Sequence, residues 1–335
     1  NESKLQTIEE GAFYFTSIKS ITIPSEVTDL KEKWCDDTVY LTKVKVSPLN
    51  PRYCCCDEQI IIGKETVGSN NYESLVFCAR NIKTITIPNF IKRICSSSFY
   101  GVSIESITIP SEVQIIGKNA FYECRRLQRI EFANESKLQT IEEGAFTKTP
   151  IISIKIPSEV RLIGKKAFCD CQNLRRIEFS NESKLQIIEE SAFIFTSIKC
   201  IKIPSEVKII GKNAFHFCLL FQRIVFSNES KLQTIEKKTF HGTLIKSIKI
   251  PSEVRIIGNN AFSYCDQLER IEFSNESKLQ TIEENAFRGT LIKSIKIPSE
   301  VRIIGKEAFC NCKQLQRIEF SNESKLQTIE ENAFK

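Results

Sequence analysis

The amino-acid sequence predicts an α/β repeat solenoid, in which short parallel strands alternate with short helical or 3-10 turns. Three observations predict this fold class. The motif Asn-Glu-Ser-Lys-Leu-Gln recurs every 47 residues from Asn134 onwards. Phenylalanines divide each period into units of 22 and 25 residues, as at Phe146, Phe168 and Phe193. Within a unit, apolar and polar residues alternate over four positions, which is the pattern of a strand with one buried face.

The composition excludes a disordered chain. The repeat also indicates a different number of domains from the number that the length predicts. Of the 335 residues, 41% are hydrophobic and 26% are charged. Length alone predicts about two globular domains. Eleven phenylalanines at spacings that alternate between 22 and 25 residues, with Phe13 as a twelfth, instead indicate a single array. No apolar run reaches the roughly 20 residues that a transmembrane segment needs. Because the chain contains no Met, we expect it to be a segment of a longer protein.

One short strand is predicted in each unit, where the chain reads x-Ile-x-Phe or x-Ile-x-Ile. The alternation places Ile130 and Phe132 inward. Proline lacks an N–H group, so Pro157 is expected to end the strand that it follows. A unit of this length cannot bury its own apolar edge, so the units are expected to stack. Unit length and strand pattern together predict a leucine-rich-repeat horseshoe, with a parallel β-helix as the alternative.

The pattern over residues 163–179 closely resembles that of the BspA-like leucine-rich-repeat proteins. It reads Ile-Gly-x-x-Ala-Phe-x-x-Cys-x-x-Leu-x-x-Ile-x-Phe, and its partner unit contains Ile-Pro-Ser-Glu-Val. Isoleucine at most strand positions and Ser-Glu-Val after the proline are similar to the protist, trichomonad-like branch of that family. The resemblance implies a repeat protein exposed on the surface of oral bacteria or mucosal protists.

Three regions are predicted along the chain. Residues 1–27 form a leucine-rich-repeat unit, and residues 85–335 form tandem repeats in 47-residue double units. Residues 28–84 depart from the period and are predicted to form an irregular unit with a β-hairpin built from 59–63 and 74–77. A separate small domain at 28–84 is the alternative.

We call the phenylalanines that divide the period the marker phenylalanines. Five of the 14 cysteines each lie three residues after one of them. They occupy every second unit, which places them about 9–10 Å apart, beyond the roughly 7 Å limit between Cα atoms for a disulfide. We therefore predict a buried structural column and no metal site. Its members are Cys124, Cys171, Cys218, Cys265 and Cys312.

Six further cysteines cluster near the irregular unit. Disulfides are natural there if the protein is extracellular, and six cysteines allow 15 pairings. A zinc site is not predicted, because no Cys-x-x-Cys pair is present and neither histidine lies nearby. The six are Cys35, Cys54, Cys55, Cys56, Cys78 and Cys95.

Signatures of catalysis are absent from the sequence. Dinucleotide, P-loop, zinc-protease and nucleophile-elbow motifs do not occur. His216 and His241 each follow a marker phenylalanine directly, and we interpret them as variation at one repeat position rather than as a metal pair. The sequence therefore predicts no enzyme, no catalytic residue, no metal and no cofactor. The net charge of +6 is too small and diffuse to predict a nucleic-acid partner.

The outward-facing strand residues form the candidate ligand-binding site. Charge alternates from unit to unit along one column, so opposite charges are expected to be nearest neighbours. One interpretation is a self-neutralising solvated surface, and the other is a concave surface for an extended ligand. The candidate residues are Arg129, Glu131, Lys155, Arg176, Glu178, Lys202, Arg223, Lys249, Arg270, Glu272, Lys296, Arg317 and Glu319.

The repeated Asn-Glu-Ser segment also matches the acceptor rule for N-glycosylation. A polar turn is the alternative interpretation. Because the segment follows a strand, the acceptors are expected to line one edge of the solenoid. They are Asn134, Asn181, Asn228, Asn275 and Asn322.

Together these features predict a non-enzymatic leucine-rich-repeat protein at the cell surface or secreted. The family resemblance implies adhesion to host cells, matrix proteins or other microbes, with protein ligands as partners. One alternative is an intracellular, cytoplasmic leucine-rich-repeat scaffold. The other is a non-catalytic repeat region of a larger enzyme or receptor.

Overall fold

A computed structural model describes residues 3–227 and 229–335, and the chain divides into two compact units, Asn1–Ile151 and Ile152–Lys335. Both units contain the predicted repeats of short parallel strands. Hydrogen-bonded turns stand where short helical turns were expected, and no helix occurs within the described ranges. That part of the chain accordingly holds no helix with the length and apolar character needed to cross a membrane.

The first unit has twelve strands. Three parallel pairs form between β1 and β3, β2 and β4, and β9 and β11, and the others form one sheet in the order β5-β6-β7-β8-β10-β12. The strands are β1 (Thr7–Ile8), β2 (Ser20–Ile23), β3 (Asp29–Leu30), β4 (Lys43–Val46), β5 (Tyr53–Cys56), β6 (Ile60–Gly63), β7 (Ser74–Cys78), β8 (Arg93–Ile94), β9 (Ser106–Ile109), β10 (Ile115–Ile116), β11 (Arg129–Phe132) and β12 (Thr140–Ile141).

The second unit has sixteen strands, in which four-residue and two-residue strands alternate. They are β13 (Ser153–Ile156), β14 (Leu162–Ile163), β15 (Arg176–Phe179), β16 (Ile187–Ile188), β17 (Cys200–Ile203), β18 (Ile209–Ile210), β19 (Arg223–Phe226), β20 (Thr234–Ile235), β21 (Ser247–Ile250), β22 (Ile256–Ile257), β23 (Arg270–Phe273), β24 (Thr281–Ile282), β25 (Ser294–Ile297), β26 (Ile303–Ile304), β27 (Arg317–Phe320) and β28 (Thr328–Ile329).

Each turn of the second unit contributes to two parallel sheets. The four-residue strands pair as β13-β15-β17-β19, β21-β23 and β25-β27, while the two-residue strands pair continuously from β14 to β28. The sequence predicted the four-residue strands. It did not predict the two-residue strands, because two residues are too few to show a period.

Marker phenylalanines stack through the core of each unit. From Phe168 to Phe334 in the second unit, successive ring centroids lie 5.1–5.6 Å apart with the rings nearly parallel. All but the terminal Phe334 are fully buried. Burial of a side chain of this size stabilises the fold by about 1.5–3 kcal/mol, so each ring of this phenylalanine ladder helps to hold successive turns together.

The Asn-Glu-Ser-Lys and Pro-Ser-Glu segments recur at a constant spacing, and this spacing produces one repeated ion pair. Lys278 of the Asn-Glu-Ser-Lys segment lies 2.7 Å from Glu253 of the Pro-Ser-Glu segment one turn earlier. Exposed pairs of this kind contribute below about 1 kcal/mol each. Their repetition aligns successive turns along one edge. The equivalent pairs are Lys137–Glu112, Lys184–Glu159, Lys231–Glu206 and Lys325–Glu300.

The irregular part of the first unit contains three antiparallel strands. β6 pairs with β7, as the sequence suggested, and β5 adds a third strand beside β6. Trp34 is buried there, and its ring lies 6.0 Å from Phe13 and 5.6 Å from Phe77. The tryptophan therefore joins the aromatic core across the region where the phenylalanine spacing is broken.

Candidate functional site

The four-residue strands present alternate side chains to solvent, and we call this surface the strand face. In β13, Ser153 and Lys155 are exposed while the two isoleucines are buried. In β15, Arg176 is exposed and Glu178 is half-buried. The sequence predicted this alternation, which follows from the period of two along a strand. It is complete in β13, whereas Phe132 of β11, predicted to face inward, is half-buried.

Eleven of the thirteen candidate residues lie on the strand face of the second unit, and Arg129 and Glu131 lie on the corresponding face of the first unit. Exposed positions are occupied by Arg129, Glu131, Lys155, Arg176, Lys202, Arg223, Lys249, Arg270, Lys296 and Arg317. Glu178, Glu272 and Glu319 are half-buried.

The carboxylates of the strand face pair within their own strands. Register places Lys249 opposite Glu272, as expected from the alternating charges. Nevertheless, Glu272 forms its ion pair with Arg270, two residues earlier on β23, at 2.7 Å. The other pairs of this kind are Arg129–Glu131, Arg176–Glu178 and Arg317–Glu319.

Because the carboxylates of the strand face form ion pairs with arginines, they do not pair with the lysines on the neighbouring strands. Four lysines recur every 47 residues on β13, β17, β21 and β25, and none forms an ion pair with a residue that the structure describes. They are Lys155, Lys202, Lys249 and Lys296. We call them the lysine row. At about 4.8 Å per strand, successive members stand roughly 10 Å apart where the sheet is continuous.

A groove of about 550 Å³ opens on the strand face between β23 and β25. Its lining includes Arg270, Glu272 and Lys296, together with the acceptor asparagine Asn275. A groove of this size accommodates part of an extended chain, and its polar lining favours a charged ligand.

The described acceptor asparagines are exposed at the ends of the strands. Asn134, Asn181 and Asn275 are each followed two residues later by a buried serine, as at Ser136 and Ser277, whereas Ser324 after Asn322 is half-buried. Lys202 donates a hydrogen bond to the Asn181 side-chain oxygen at 3.4 Å, so that acceptor borders the lysine row. The exposed acceptors are Asn134, Asn181, Asn275 and Asn322, whereas Asn228 lies outside the described residues.

The predicted cysteine column is interior. Cys218 Sγ donates to the Phe193 carbonyl at 3.1 Å and lies 3.2 Å from Thr196 Oγ1 in the preceding turn. Burial raises the pKa of Cys218 and Cys265 to about 11. These thiols are therefore protonated packing groups rather than nucleophiles or metal ligands.

The six clustered cysteines are unpaired in the structure. Cys35 and Cys78 are buried, and the others are half-buried. Burial raises the pKa of the Cys35 thiol to about 12.

His216 and His241 lie together, with ring centroids 4.9 Å apart. Burial lowers the pKa of His216 to about 4, and both His241 and Lys238 add to the shift. Burial and Lys238 also lower the pKa of His241. The adjacent cation and the lack of a carboxylate ligand disfavour a metal here. Across the described residues, no three His, Cys, Asp or Glu side chains are arranged to hold a metal ion.

One surface feature escaped the sequence reasoning. Phe195, Phe217, Leu219 and Leu220 are exposed on adjoining turns near the histidines. A comparison of equivalent positions across the repeats would have found them, because their counterparts are mostly polar.

The chain matches a family model described as BspA type leucine rich repeat region. The match comprises six copies over residues 1–50, 70–149, 139–254 and 233–335. A comparison with curated proteins gave no match.

Solved structures with the same fold come from bacteria. A leucine-rich repeat protein from Bacteroides ovatus is 23% identical with a TM-score of 0.60, and the alignment covers 98% of this chain and 78% of that chain. The pneumococcal vaccine antigen PcpA is 21% identical with a TM-score of 0.53 and 82% coverage of both chains. At these identities the likeness establishes a shared fold. With the family model matching nearly the whole sequence, the chain belongs to the BspA-type leucine-rich-repeat family.

Proposed function

We propose that the protein is a non-enzymatic adhesin, exposed at the cell surface or secreted, that binds protein ligands of host cells, matrix or other microbes through the strand face. The surface location rests on the family resemblance. The observation that carries the binding proposal is the lysine row, whose four exposed ammonium groups have no carboxylate partner among the described residues.

The mode of binding follows from the weakness of each contact. An exposed ion pair contributes below about 1 kcal/mol, so a single lysine cannot hold a ligand. Four lysines at regular intervals engage an extended acidic ligand together, and the effective concentration of each new contact increases as others form. The groove beside Lys296 would enclose the part of the ligand that contacts this lysine.

The experiment reverses the charge of the whole lysine row. A variant carrying Lys155→Glu, Lys202→Glu, Lys249→Glu and Lys296→Glu should attach to cultured mucosal epithelial cells and to immobilised matrix proteins at least roughly tenfold more weakly than the wild type. Unchanged attachment would reject the strand face as the binding surface.

The repeats supply a matched control. Four other basic residues are exposed at the same 47-residue spacing just before the two-residue strands. Reversing them changes the net charge equally and should leave attachment near the wild-type level. The control residues are Arg161, Lys208, Arg255 and Arg302.

We further propose N-glycosylation at the exposed acceptors. Protein from the native cell should shift in mobility after glycosidase treatment, and Asn275→Gln should remove one glycan. Since Asn275 lines the groove with Lys296, loss of that glycan should strengthen attachment. A cytosolic, unglycosylated native protein would instead favour the intracellular scaffold.

A further inference from the structure

An exposed apolar patch interrupts the polar surface of the second unit. It consists of Phe195, Phe217, Leu219 and Leu220, which are 46%, 40%, 61% and 40% exposed. The two phenylalanine rings stack with centroids 5.9 Å apart and planes 13° apart. The patch thus offers two parallel aromatic rings and two neighbouring leucines to solvent.

The repeat itself shows that the fold does not need these residues. Turns built on the same backbone pattern carry mostly polar side chains at the equivalent positions. In place of Phe217 they have Glu123, Asp170, Tyr264 and Asn311; in place of Leu219, Arg125, Gln172, Asp266 and Lys313; in place of Leu220, Arg126, Asn173, Gln267 and Gln314. Phe195 has a phenylalanine counterpart in the first unit, Phe15, and is replaced elsewhere by Gly101, Lys148, Gly242 and Gly289.

The backbone gives no reason for the aromatic rings either. Phe195 and Phe217 have φ of 59° and 52°, in the left-handed region. Glycine occupies the position equivalent to Phe195 in two later turns, at Gly242 and Gly289. A bulky side chain is disfavoured in this conformation, so packing and backbone geometry together leave these two residues unexplained.

Charge changes at the same place in the array. Residues 212–241 contain five basic and two acidic residues, a net charge of +3 with histidine neutral. The equivalent stretches 118–147 and 165–194 each contain five basic and five acidic residues, and 259–288 contains three basic and six acidic, a net charge of −3.

Two substitutions account for much of this difference. Val225 stands where the equivalent strands have glutamate, and Lys237 stands where the equivalent turns have the second glutamate of a Glu-Glu pair. Both are exposed. The turns that gain apolar surface therefore also lose acidic surface.

We propose that this patch binds an acidic peptide segment of a partner protein, with apolar side chains of the segment on Phe195, Phe217, Leu219 and Leu220 and its flanking carboxylates on basic residues of the stretch 212–241. The net charge of +3, where the equivalent stretches are neutral or negative, carries the choice of an acidic partner. The exposed aromatic and leucine side chains carry the requirement for apolar anchors.

A peptide fits these observations better than an anionic membrane. A flat bilayer that covered the patch would also approach the following stretch 259–288, whose net charge of −3 repels an anionic surface. A narrow segment can occupy the patch without covering that stretch. Neutral His216 and His241, beside Phe217, add uncharged surface at the edge of the patch.

The test uses defined synthetic probes in fluorescence anisotropy with the full chain. One peptide has a central Leu-Phe-Leu flanked on each side by three acidic residues. A second replaces the acids with lysines, and a third replaces the apolar centre with serines. The first should bind, and the other two should bind at least roughly tenfold more weakly. Equal binding of all three would overturn the proposal.

Variants transplanted from a sister turn test the location. Phe217→Asp, Leu219→Gln and Leu220→Asn together reproduce residues 170, 172 and 173, which the same fold accommodates. This triple variant should lose at least roughly tenfold in affinity for the first peptide. The matched control, Tyr264→Asp with Asp266→Gln and Gln267→Asn, should bind within about twofold of the wild type. An unchanged triple variant would refute the patch as the site.

Two further arms separate the outcomes. Vesicles of phosphatidylserine and phosphatidylcholine should bind no better than phosphatidylcholine alone, and strong binding to the anionic vesicles would overturn the choice of a peptide. The variant with a reversed lysine row should still bind the first peptide, because none of its four substituted residues belongs to the patch.

Discussion

Lys249 and Glu272 lie opposite each other on paired strands, yet Glu272 forms its ion pair with Arg270. The guanidinium lies on the same strand as the carboxylate and presents several donors to it. The consequence is a row of lysines that have no carboxylate partner among the described residues, beside a row of neutralised arginine–glutamate pairs.

Removal of the arginines should therefore neutralise the lysines. In the variant Arg270→Ala with Arg317→Ala, the freed carboxylates of Glu272 and Glu319 can pair with the lysines opposite them. We expect attachment to weaken although no lysine is changed, and stability to change by less than about 1 kcal/mol. Arg255→Ala with Arg302→Ala, away from the strand face, is the control in the same attachment and urea-unfolding assays.

Truncation within the phenylalanine ladder should be costly. Phe262 has ring neighbours on both sides at 5.2 Å and is fully buried, so Phe262→Ala should destabilise the protein by about 3–5 kcal/mol. Phe334 has one ring neighbour, at 5.1 Å, and is half-buried, so Phe334→Ala should cost clearly less. Urea unfolding measures both, and equal losses would contradict a ladder whose interior rungs couple neighbouring turns.

Gly258, four residues before Phe262, is required because the backbone of the preceding turn passes close to its Cα atom. A Cβ at Gly258 would lie 2.9 Å from the carbonyl carbon of Glu236 in the preceding turn. Backbone cannot yield as a flexible side chain does, so Gly258→Ala should cost about 1–3 kcal/mol. At Gly68 a Cβ meets nothing within 4 Å, so Gly68→Ala should be close to neutral. Thermal unfolding compares the two, and a neutral Gly258→Ala would show that the turns can separate.

Thiol labelling should distinguish the surface from the column. Cys200 is exposed on β17, whereas Cys124, Cys218 and Cys265 are buried with pKa values raised to about 12, 11 and 11. A thiol-specific reagent should modify Cys200 in the folded protein and reach the column only after unfolding. Cys200→Ser should remove one reactive equivalent, while Cys218→Ser should leave the folded-state count unchanged.

The sequence predicted the residue positions that the repeat determines. It did not predict contacts whose alternatives differ little in energy. The position of Phe262 and the exposure of Lys249 follow from periods of 47 and 2, because a displaced residue would lose its burial. The preference of Glu272 for Arg270 over Lys249 depends on competing surface pairs that differ by tenths of a kcal/mol. Trp34 joins the aromatic core where the spacing is broken, so no period could locate it.

The paired histidines predict a loss of stability in mild acid. In the folded protein burial lowers the pKa of His216 to about 4, whereas the unfolded chain has a value near 6.5. The unfolded state therefore takes up the proton first as the pH falls. The contribution of neutral His216 to stability is complete above about pH 6.5 and is lost between about pH 6.5 and 4. His241, whose pKa is lowered by burial and by Lys238, acts in the same direction.

The measurement compares urea midpoints at pH 7, 5.5 and 4.5 for the wild type and a double variant. His216→Ser with His241→Thr places at these positions the residues that occupy them at 263 and 147. Carboxylates common to both proteins titrate equally, so the difference between them isolates the histidines. We expect the wild type to lose more stability than the variant as the pH falls. Parallel curves would mean that both imidazoles are hydrated well enough in the folded state to accept protons at their ordinary pKa.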